Sequence, residues 1–487
     1  MALIKPGTIK KSIIFTICST FPVLSGFVLL PFYTRYLSSE LYGMFALYGS
    51  IALFLQIIIT FAYDTTVASQ YHLLKSDFGK LSSYIWSSWV VCVGIFLIMM
   101  ALVSAAYFIV PDHSISLGNG TFELSLIYLS LSAACISALL KIYSNYLVVS
   151  DKPNQFLGLN SMNLLLVLGF SIVLILYFNN NLQAALWGRL AGLMVCLAMC
   201  YLLFIKNEFP FTLNFTHIRH TLWVNVPMVF FSMIQWAASY ADRFILLLYL
   251  SATQIGVYDL AIKLTVVIEL LTTGMYNTFY PKIYAQWADT KIASSTQEMN
   301  KIYHSLSAVC ILIIAGTLWV VPTLVPLISG KEIYNESAKY MPYICLTYVY
   351  DILIVTLVNP FIFMNKTQTM PFISGASTGI KLCVASICIY FFGIPGAIAA
   401  LFIRRAADVA LYQYFGGKIY TFSYNPLKMY VVPTLFCIAA LLAEYYLTMI
   451  PPLWRHSLIF AMAMLLVGGV YYVEIKKLIS DYLQKYI

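Results

Sequence analysis

The sequence predicts an all-α polytopic membrane protein with about fourteen transmembrane helices. They form two pseudo-symmetric six-helix lobes followed by two C-terminal helices. Composition, the spacing of apolar runs and an internal repeat predict this fold class. Of the 487 residues, 61% are hydrophobic and only 10% are charged, whereas soluble domains carry about 25% charged residues. A soluble fold of this length cannot hide so much apolar surface, so lipid must surround most of the chain.

The apolar runs give the number of spans, because about 20 residues of α-helix cross the hydrocarbon core. Short breaks with turn-forming residues separate the runs, for example Asp151-Lys152-Pro153-Asn154 and Pro451-Pro452. An even number of spans places both termini on one side of the membrane. The predicted spans are 13–34, 41–63, 82–110, 121–149, 155–178, 182–205, 221–249, 256–280, 303–328, 340–363, 368–392, 394–416, 430–449 and 456–474.

Basic residues are distributed unevenly between alternate loops. If the N-terminus is cytoplasmic, the inner loops and tails hold 17 of the 28 Lys and Arg residues, the outer side holds 4, and 7 lie inside spans. Such an excess is typical of cytoplasmic loops. We therefore expect both termini in the cytoplasm and residues 111–120 and 329–339 outside. The net charge of +9 does not indicate nucleic-acid binding, because the bases form no stripe.

An eight-residue motif occurs twice, 213 residues apart. Tyr36-Leu37-Ser38-Ser39-Glu40-Leu41-Tyr42-Gly43 leaves the first span, and Tyr249-Leu250-Ser251-Ala252-Thr253-Gln254-Ile255-Gly256 leaves the seventh, with four of eight positions identical. At nearly the same offset, Arg189 in span six matches Arg404 in span twelve. An even number of spans separates the copies, so the repeat is parallel, with its axis along the membrane normal.

The repeat predicts how the chain is divided. We expect an N-lobe at 1–206, a C-lobe at 207–417, and two additional helices with a cytoplasmic tail at 418–487. A transporter of this kind holds its substrate in a cavity between such lobes. The sequence has no phosphate-binding G-x-x-x-x-G-K-[ST] motif, and it predicts no metal site, no cofactor and no catalytic residue. It indicates binding and conformational change instead of covalent chemistry.

Charges inside spans are costly in lipid and usually face a cavity or a partner. Two pairs, Asp259 with Lys263 and Arg404 with Asp408, are four residues apart on one helix face and neutralise each other locally. The remaining charges lean basic, which suits a diphosphate or an acidic sugar. The alternative is that these bases pair with acids on other helices. The candidate substrate-binding bases are Arg35, Lys141, Arg189, Arg243, Lys263, Lys381, Arg404 and Arg405.

Three acids are candidates for coupling transport to an ion gradient: Glu269, Asp351 and Asp242. Glu269 and Asp351 lie near the middle of their spans, and neither has an opposite charge three or four residues away. An isolated carboxylate in a low-dielectric site can take up a proton. The alternative is a salt bridge to another helix, for instance between Asp351 and Lys381.

Three stretches carry a family resemblance. They are Ser25-Gly26-Phe27 through Leu29-Leu30-Pro31-Phe32-Tyr33-Thr34-Arg35-Tyr36-Leu37-Ser38 with Tyr42-Gly43; Asp242-Arg243-Phe244 with Gly256-Val257-Tyr258 and Ala261-Ile262-Lys263-Leu264; and Gly330-Lys331-Glu332 with Ser337-Ala338. Together they resemble the polysaccharide transporters of the MOP superfamily. That group includes Wzx-type O-antigen flippases and is similar to lipid II flippases and MATE drug exporters.

The resemblance implies a function. Such a protein moves an undecaprenyl-diphosphate-linked oligosaccharide, an O-antigen or related surface-polysaccharide repeat unit, from the inner to the outer leaflet of the bacterial cytoplasmic membrane by alternating access. Its expected partners are this substrate, membrane lipids and other assembly proteins such as a polymerase.

Two alternatives stay open. A MATE-like cation-coupled exporter would need acidic cavity residues. A membrane polysaccharide polymerase or ligase would need a large outer loop, whereas the longest outer loops here have about ten residues each.

Overall fold

The computed structural model of the protein describes residues 21–110, 112–178, 181–289, 296–419, 424–474 and 476. The start of the predicted first span and most of the C-terminal tail lie outside the described residues. The chain divides into two compact units, Met1–Gly256 (unit 1) and Val257–Ile487 (unit 2). Each is described by itself.

Unit 1 is built from long helices and one β-hairpin. A π-helical turn at Tyr201–Ile205 and a short helix at Lys206–Glu208 extend its seventh helix. The elements are α1 (Phe21–Tyr36), α2 (Ser39–Thr60), α3 (Tyr63–Leu74), α4 (Phe78–Ile109), β1 (Ser114–Leu117), β2 (Gly120–Glu123), α5 (Leu124–Val149), α6 (Pro153–Tyr177), α7 (Leu182–Cys200), α8 (Thr216–Tyr249) and the start of α9 (Ala252–Asp289).

Unit 2 is helical over its described residues. Turns of 3-10 helix at Glu332–Tyr334 and Tyr348–Tyr350 flank α11, and a π-helical turn at Leu427–Val431 precedes α15. Its elements are the rest of α9, then α10 (Thr296–Ser329), α11 (Asn335–Thr347), α12 (Asp351–Phe363), α13 (Thr369–Phe392), α14 (Ile394–Gly416), α15 (Val432–Tyr446) and α16 (Pro452–Val470).

Local sequence explains where several helices begin. The Ser38 hydroxyl accepts a hydrogen bond from the backbone N–H of Leu41, and the Asp77 carboxylate accepts one from that of Lys80. Each side chain satisfies an N–H at the start of its helix, α2 or α4, that has no partner within the helix. Pro153 and Pro452 occupy the first turns of α6 and α16, where a missing N–H costs nothing.

Eleven spans of the described part are long and apolar enough to cross a membrane. The three other predicted spans are also helical, but their described parts are too short or too highly charged to be counted among these eleven. The described part of α1 has 16 residues, and α9 and α14 each carry three charged residues within the predicted span. The all-α polytopic class is therefore confirmed, whereas the count of fourteen spans stays a prediction.

The helix that begins at Ser39 is broken in its second half. Phe61 and Ala62 both have left-handed backbone angles, with φ of 45° and 57°, and the chain resumes as α3 at Tyr63. Left-handed angles in residues other than glycine cost about 1–3 kcal/mol each and persist only where the surroundings hold them. The predicted span of 41–63 ended at this break, but helical structure continues to Leu74.

The predicted outer loop at 111–120 contains secondary structure. β1 and β2 pair antiparallel from Ser114 opposite Glu123 to Leu117 opposite Gly120. Gly118 closes the turn with φ of +55°, and a Cβ there would lie 2.5 Å from the Leu247 carbonyl oxygen at the end of α8. Only glycine combines this angle with so close an approach. The Asn119 N–H donates to the same carbonyl at 3.0 Å, so the hairpin is fixed to α8.

The two copies of the repeated motif contact each other inside unit 1. A Cβ on Gly43 would lie 1.7 Å from the Ala252 carbonyl oxygen, and a Cβ on Gly256 would lie 3.1 Å from the Ser39 carbonyl oxygen. Ser39 and Ala252 are equivalent in the repeat, as are the two glycines. The contact is therefore reciprocal, as expected where two equivalent segments meet about a two-fold axis.

In unit 2, buried ion pairs hold the last two helices. Glu444 on α15 lies 3.0 Å from Arg455 Nε and 3.1 Å from His456 Nε2 on α16. Beyond the end of α16, Glu474 lies 2.6 Å from Lys428 Nζ. These contacts hold α16 and the residues that follow it against α15 and against the π-helical turn at Leu427–Val431.

Candidate functional site

A cavity of about 340 Å³ opens in unit 1 between α2, α3, α5 and α8. Its volume lies at the lower end of the range for small-molecule sites. Neutral hydrogen-bonding side chains, aliphatic side chains, three aromatic rings and one ion pair line it. The lining residues are Leu53, Gln56, Ile57, Thr60, Ala62, Asp64, Lys141, Val229, Phe231, Ser232, Gln235, Trp236 and Tyr240.

The aromatic wall of the cavity is held in place by its own contacts. The Trp236 indole N–H donates to the Ser50 carbonyl at 2.8 Å, and its ring centroid lies 4.7 Å from that of Phe54. Tyr240, one turn further along α8, stacks on Trp236 at 6.4 Å. Because the indole N–H is already bonded, the ring has a fixed orientation, which suits stacking against a sugar face.

The ion pair of the cavity joins α5 to the broken helix. Lys141 Nζ lies 2.8 Å from Asp64 Oδ2, with 53% of the lysine side chain exposed and only 9% of the aspartate side chain. One turn along α5, the Asn145 amide donates to the Asp64 backbone carbonyl at 2.8 Å. Two side chains of α5 therefore hold the first turn of α3, and the lysine is the more exposed member of the ion pair.

Arg189 lies beside this cavity. It sits on α7 between Gly188 and Gly192, where added Cβ atoms would lie 2.5 and 2.7 Å from backbone atoms of α6. Small residues at this spacing let two helices approach closely. The guanidinium is within electrostatic range of the Tyr33 and Tyr240 hydroxyls. Tyr240 lines the cavity, so Arg189 adds positive potential behind its wall.

Arg243, another candidate of unit 1, also lies behind the cavity wall, with its guanidinium 5.0 Å from the centre of the Tyr240 ring. Arg243 is 2% exposed and donates to the Ser239 carbonyl at 2.8 Å. It also lies 3.4 Å from the Asp242 carboxylate, which is equally buried. Arg35 is exposed at the end of α1. Arg243 and Asp242 therefore neutralise each other inside the protein.

Unit 2 brings together several candidate residues. Arg405 Nη1 lies 2.7 Å from Asp351 Oδ1, and its guanidinium lies 4.0 Å from the centre of the Tyr348 ring. Arg404 Nε lies 3.8 Å from Asp408. Glu269 is exposed on α9 and lies within electrostatic range of Arg405. The cluster contains two guanidinium groups and three carboxylates, which leaves one negative charge in excess.

The expected pairs within single helices are present. Lys263 Nζ lies 2.7 Å from Asp259 Oδ2, as Arg404 lies near Asp408. The suggested partner for Asp351 was Lys381, but the structure gives it Arg405. Lys381 is fully buried on α13.

The predicted surplus of unpaired bases is partly wrong. Lys141, Arg243 and Arg405 counted as bases without a local partner, and the structure gives each a carboxylate. Two of these pairs join different helices, which a sequence does not reveal. The alternative of pairing between helices therefore holds for Lys141 and Arg405.

Of the cavity-lining residues only Lys141 was predicted, and Asp64 is the charged residue among those that were not. It follows directly after the predicted span 41–63, so it counted as a residue at a membrane surface. The helix break at Phe61 and Ala62 instead places it in the cavity wall. One feature of the sequence could have indicated that the helix continues past residue 63: no turn-forming residue separates Asp64 from the apolar run before it.

The end of α5 is fixed outside the membrane span. Lys152 forms an ion pair with Glu208 and donates to the Tyr146 hydroxyl at 3.1 Å. That hydroxyl donates to Glu208 at 2.7 Å. Burial lowers the pKa of Lys152 from its usual value. These contacts anchor the helix that carries Lys141 and Asn145.

Comparison with known proteins gives one family and several related folds. The model of the polysaccharide biosynthesis protein family matches residues 9–286, more than half of the chain. A search of curated proteins found no match. The structure of the lipid II flippase MurJ in an inward closed conformation is similar with a TM-score of 0.68. It is 15% identical over 97% of this chain and 100% of that chain.

Two MATE transporters are also similar in fold. An inward-facing multidrug resistance MATE family transporter of the MOP superfamily gives a TM-score of 0.61 at 12% identity, covering 82% of this chain and 94% of that chain. The Vibrio cholerae MATE transporter VcmN in its bent form gives 0.52 at 15% identity, covering 84% and 97%. These likenesses confirm the predicted MATE/MOP-like fold. The family model, which matches more than half of the chain, shows that the chain belongs to the polysaccharide biosynthesis protein family.

Proposed function

We propose that the protein is a flippase for an undecaprenyl-diphosphate-linked oligosaccharide, an O-antigen or related surface-polysaccharide repeat unit. It moves this lipid from the inner to the outer leaflet of the bacterial cytoplasmic membrane by alternating access, with both termini in the cytoplasm. Membership of the polysaccharide biosynthesis protein family supports the substrate class. The fold likeness to a lipid II flippase over nearly the whole chain supports the mode of transport.

The cavity of unit 1 is the observation that carries the proposal. Its neutral hydrogen-bonding side chains and its fixed Trp236 ring suit a sugar, whose hydroxyls need partners and whose ring faces are apolar. The half-exposed Lys141 ammonium suits an anionic group beside that sugar. A lipid-diphosphate glycan presents both features next to each other.

Among the candidate bases, Lys141 and Arg189 are proposed to act on the substrate. Lys141 would bind the diphosphate directly, and Arg189 would attract it through the Tyr240 side of the wall. Arg243, Lys263, Arg404 and Arg405 each have a carboxylate partner, which favours a structural role for them. Arg35 and Lys381 remain candidates.

Coupling to an ion gradient is proposed to involve Glu269. It is exposed and belongs to a cluster with an excess carboxylate, as a cation or proton site requires. Asp351 and Asp242 were the other candidates. Their ion pairs with Arg405 and Arg243 favour structural roles.

Export in cells tests the substrate-binding role. In a strain whose chromosomal copy is deleted, Lys141→Ala should lower surface-polysaccharide export at least about tenfold, because one charge-assisted contact is lost. Lipid-linked oligosaccharide should accumulate while the amount of membrane protein stays normal. Lys141→Arg should keep partial export.

Lys80→Ala is the matched control, because Lys80 is an exposed lysine paired with Asp77 outside the cavity. It should export like the parent. Normal export by Lys141→Ala, or an equal loss in the Lys80 variant, would contradict the proposal.

A further inference from the structure

The break between α2 and α3 provides a hinge about which α3 can rotate relative to α2. Two consecutive left-handed residues, Phe61 and Ala62, interrupt the helix. The backbone N–H groups of Thr65 and Thr66 bond to the Ala62 carbonyl, which starts α3 as a separate helix. The segment Tyr63–Leu74 therefore has its own first turn and can move without unwinding α2.

Two ties from α5 hold the start of this segment, and they differ in kind. The Asn145 amide bonds to a backbone carbonyl, which no change of charge affects. The Lys141 ammonium bonds to the Asp64 carboxylate, and more than half of the lysine side chain is exposed to the cavity. Among the lining residues, these two are the charged ones. An anion that enters the cavity can therefore compete only for the Lys141–Asp64 ion pair.

We propose that the Lys141–Asp64 ion pair is a latch that the anionic headgroup of the substrate opens, releasing α3 to turn about Phe61–Ala62. This inference rests on the proposed function and adds how binding is transmitted to the fold. Lys141 exchanges one carboxylate for the oxygens of a diphosphate, which carry more negative charge. Asp64, which is 9% exposed, then loses its charged partner.

A buried carboxylate without a partner is strongly destabilising, so the closed position of α3 loses stability once Lys141 is captured. Movement of α3 lets water reach Asp64 and restores its solvation. The Asn145 bond to the Asp64 carbonyl remains and keeps the first turn near α5 as a pivot. A neutral ligand leaves the ion pair intact and does not release α3.

Binding to the purified protein tests the latch, with farnesyl diphosphate as the probe and farnesol as its neutral counterpart. Asp64→Asn removes the competitor for Lys141, so farnesyl diphosphate should bind about tenfold more tightly than to the parent. Transport of lipid-linked oligosaccharide by the same variant should fall, because binding no longer breaks a tie. Asp64→Glu keeps the charge and should behave like the parent in both measurements.

The possible results separate the latch from the proposed function. If the parent binds farnesyl diphosphate no better than farnesol, the proposed diphosphate recognition is wrong. If the parent prefers the diphosphate but Asp64→Asn binds it equally or more weakly, the latch is wrong and the proposed function stands.

A second measurement leaves Asp64 unchanged. Spin labels at Leu73 on α3 and Val148 on α5, which are 71% and 40% exposed, report the distance between the ends of the two helices in a background without the native cysteines. Farnesyl diphosphate should shift this distance and farnesol should not. An unchanged distance at saturating diphosphate would overturn the latch.

Discussion

Gly43 and Gly256 occupy equivalent positions in the repeated motif, and each lies against the backbone at the start of the other's helix. Gly43 has no room for a methyl group, and at Gly256 a methyl group would make tight contacts of 3.1 Å. At Gly43 the obstacle is the Ala252 carbonyl, a backbone atom that cannot rotate away. The glycine of Tyr42-Gly43 at the start of α2 is therefore required by a helix contact and not by a turn.

Gly43→Ala should destabilise the protein. A Cβ 1.7 Å from a carbonyl oxygen forces the two segments apart, and overpacking of this kind costs about 1–3 kcal/mol. The thermal unfolding temperature of the purified protein should fall by several degrees. Gly49→Ala is the matched control on the same helix, because nothing lies within 4 Å of its Cβ. Equal unfolding temperatures for the two variants would show that the contact is not tight.

Single residues were predictable to very different degrees. Lys263 with Asp259 and Arg404 with Asp408 follow from four-residue spacing on one helix. Arg405 with Asp351 and Lys141 with Asp64 join helices that are distant in sequence, so no local pattern reveals them. Asp64 was missed because the predicted span ended at residue 63, whereas the helix only breaks at Phe61 and Ala62 and resumes at Tyr63. Neither residue of the break is a glycine, so the sequence does not mark it.

At the scale of elements, the β1–β2 hairpin links the two helices that contribute most of the cavity wall. The Tyr48 hydroxyl on α2 accepts a hydrogen bond from the Glu123 N–H at 2.8 Å. The turn at Gly118 and Asn119 rests on the end of α8. The hairpin therefore holds α2 and α8 together on one side of the cavity, and a change in its position would alter both helices.

The position of this hairpin also tests the proposed orientation. Basic residues are concentrated in the alternate loops, so the hairpin should be outside and the α3–α4 turn inside. In spheroplasts, Ser116→Cys should react with a membrane-impermeant maleimide, and Ser76→Cys should react only after permeabilisation. Both positions are exposed. With the parent as the control for native cysteines, the reverse pattern would invert the topology.

Elements were predictable where hydropathy is decisive. Runs of about 20 apolar residues identified most helices, because lipid allows few other structures. The hairpin was not predicted: β1 falls in the predicted loop 111–120 and most of β2 in the predicted span 121–149. Its strands have four residues each, too few for an alternating pattern to be recognised. The break in α2–α3 has no Pro or Gly to mark it, and it is held by contacts from α5 instead.

At the scale of the whole molecule, the sequence predicted the fold class and the family, whereas the parallel repeat stays a prediction. Each depends on patterns that extend over hundreds of residues and are therefore insensitive to local errors. The cavity was not predictable in this detail, because it depends on which faces of α2, α3, α5 and α8 meet. The expected basic surplus was wrong in part for the same reason, since acids on neighbouring helices neutralise several of the bases.

Transport by the purified protein in proteoliposomes tests the central proposal most directly. A fluorescent undecaprenyl-diphosphate oligosaccharide is placed in both leaflets, and a membrane-impermeant reductant measures how much becomes accessible with time. The parent should make nearly all of it accessible, whereas Lys141→Ala should leave the protected leaflet unchanged, as in protein-free vesicles. A parent protein that exports an organic cation but leaves the lipid-linked oligosaccharide in its leaflet would contradict the proposal and indicate a MATE-like exporter.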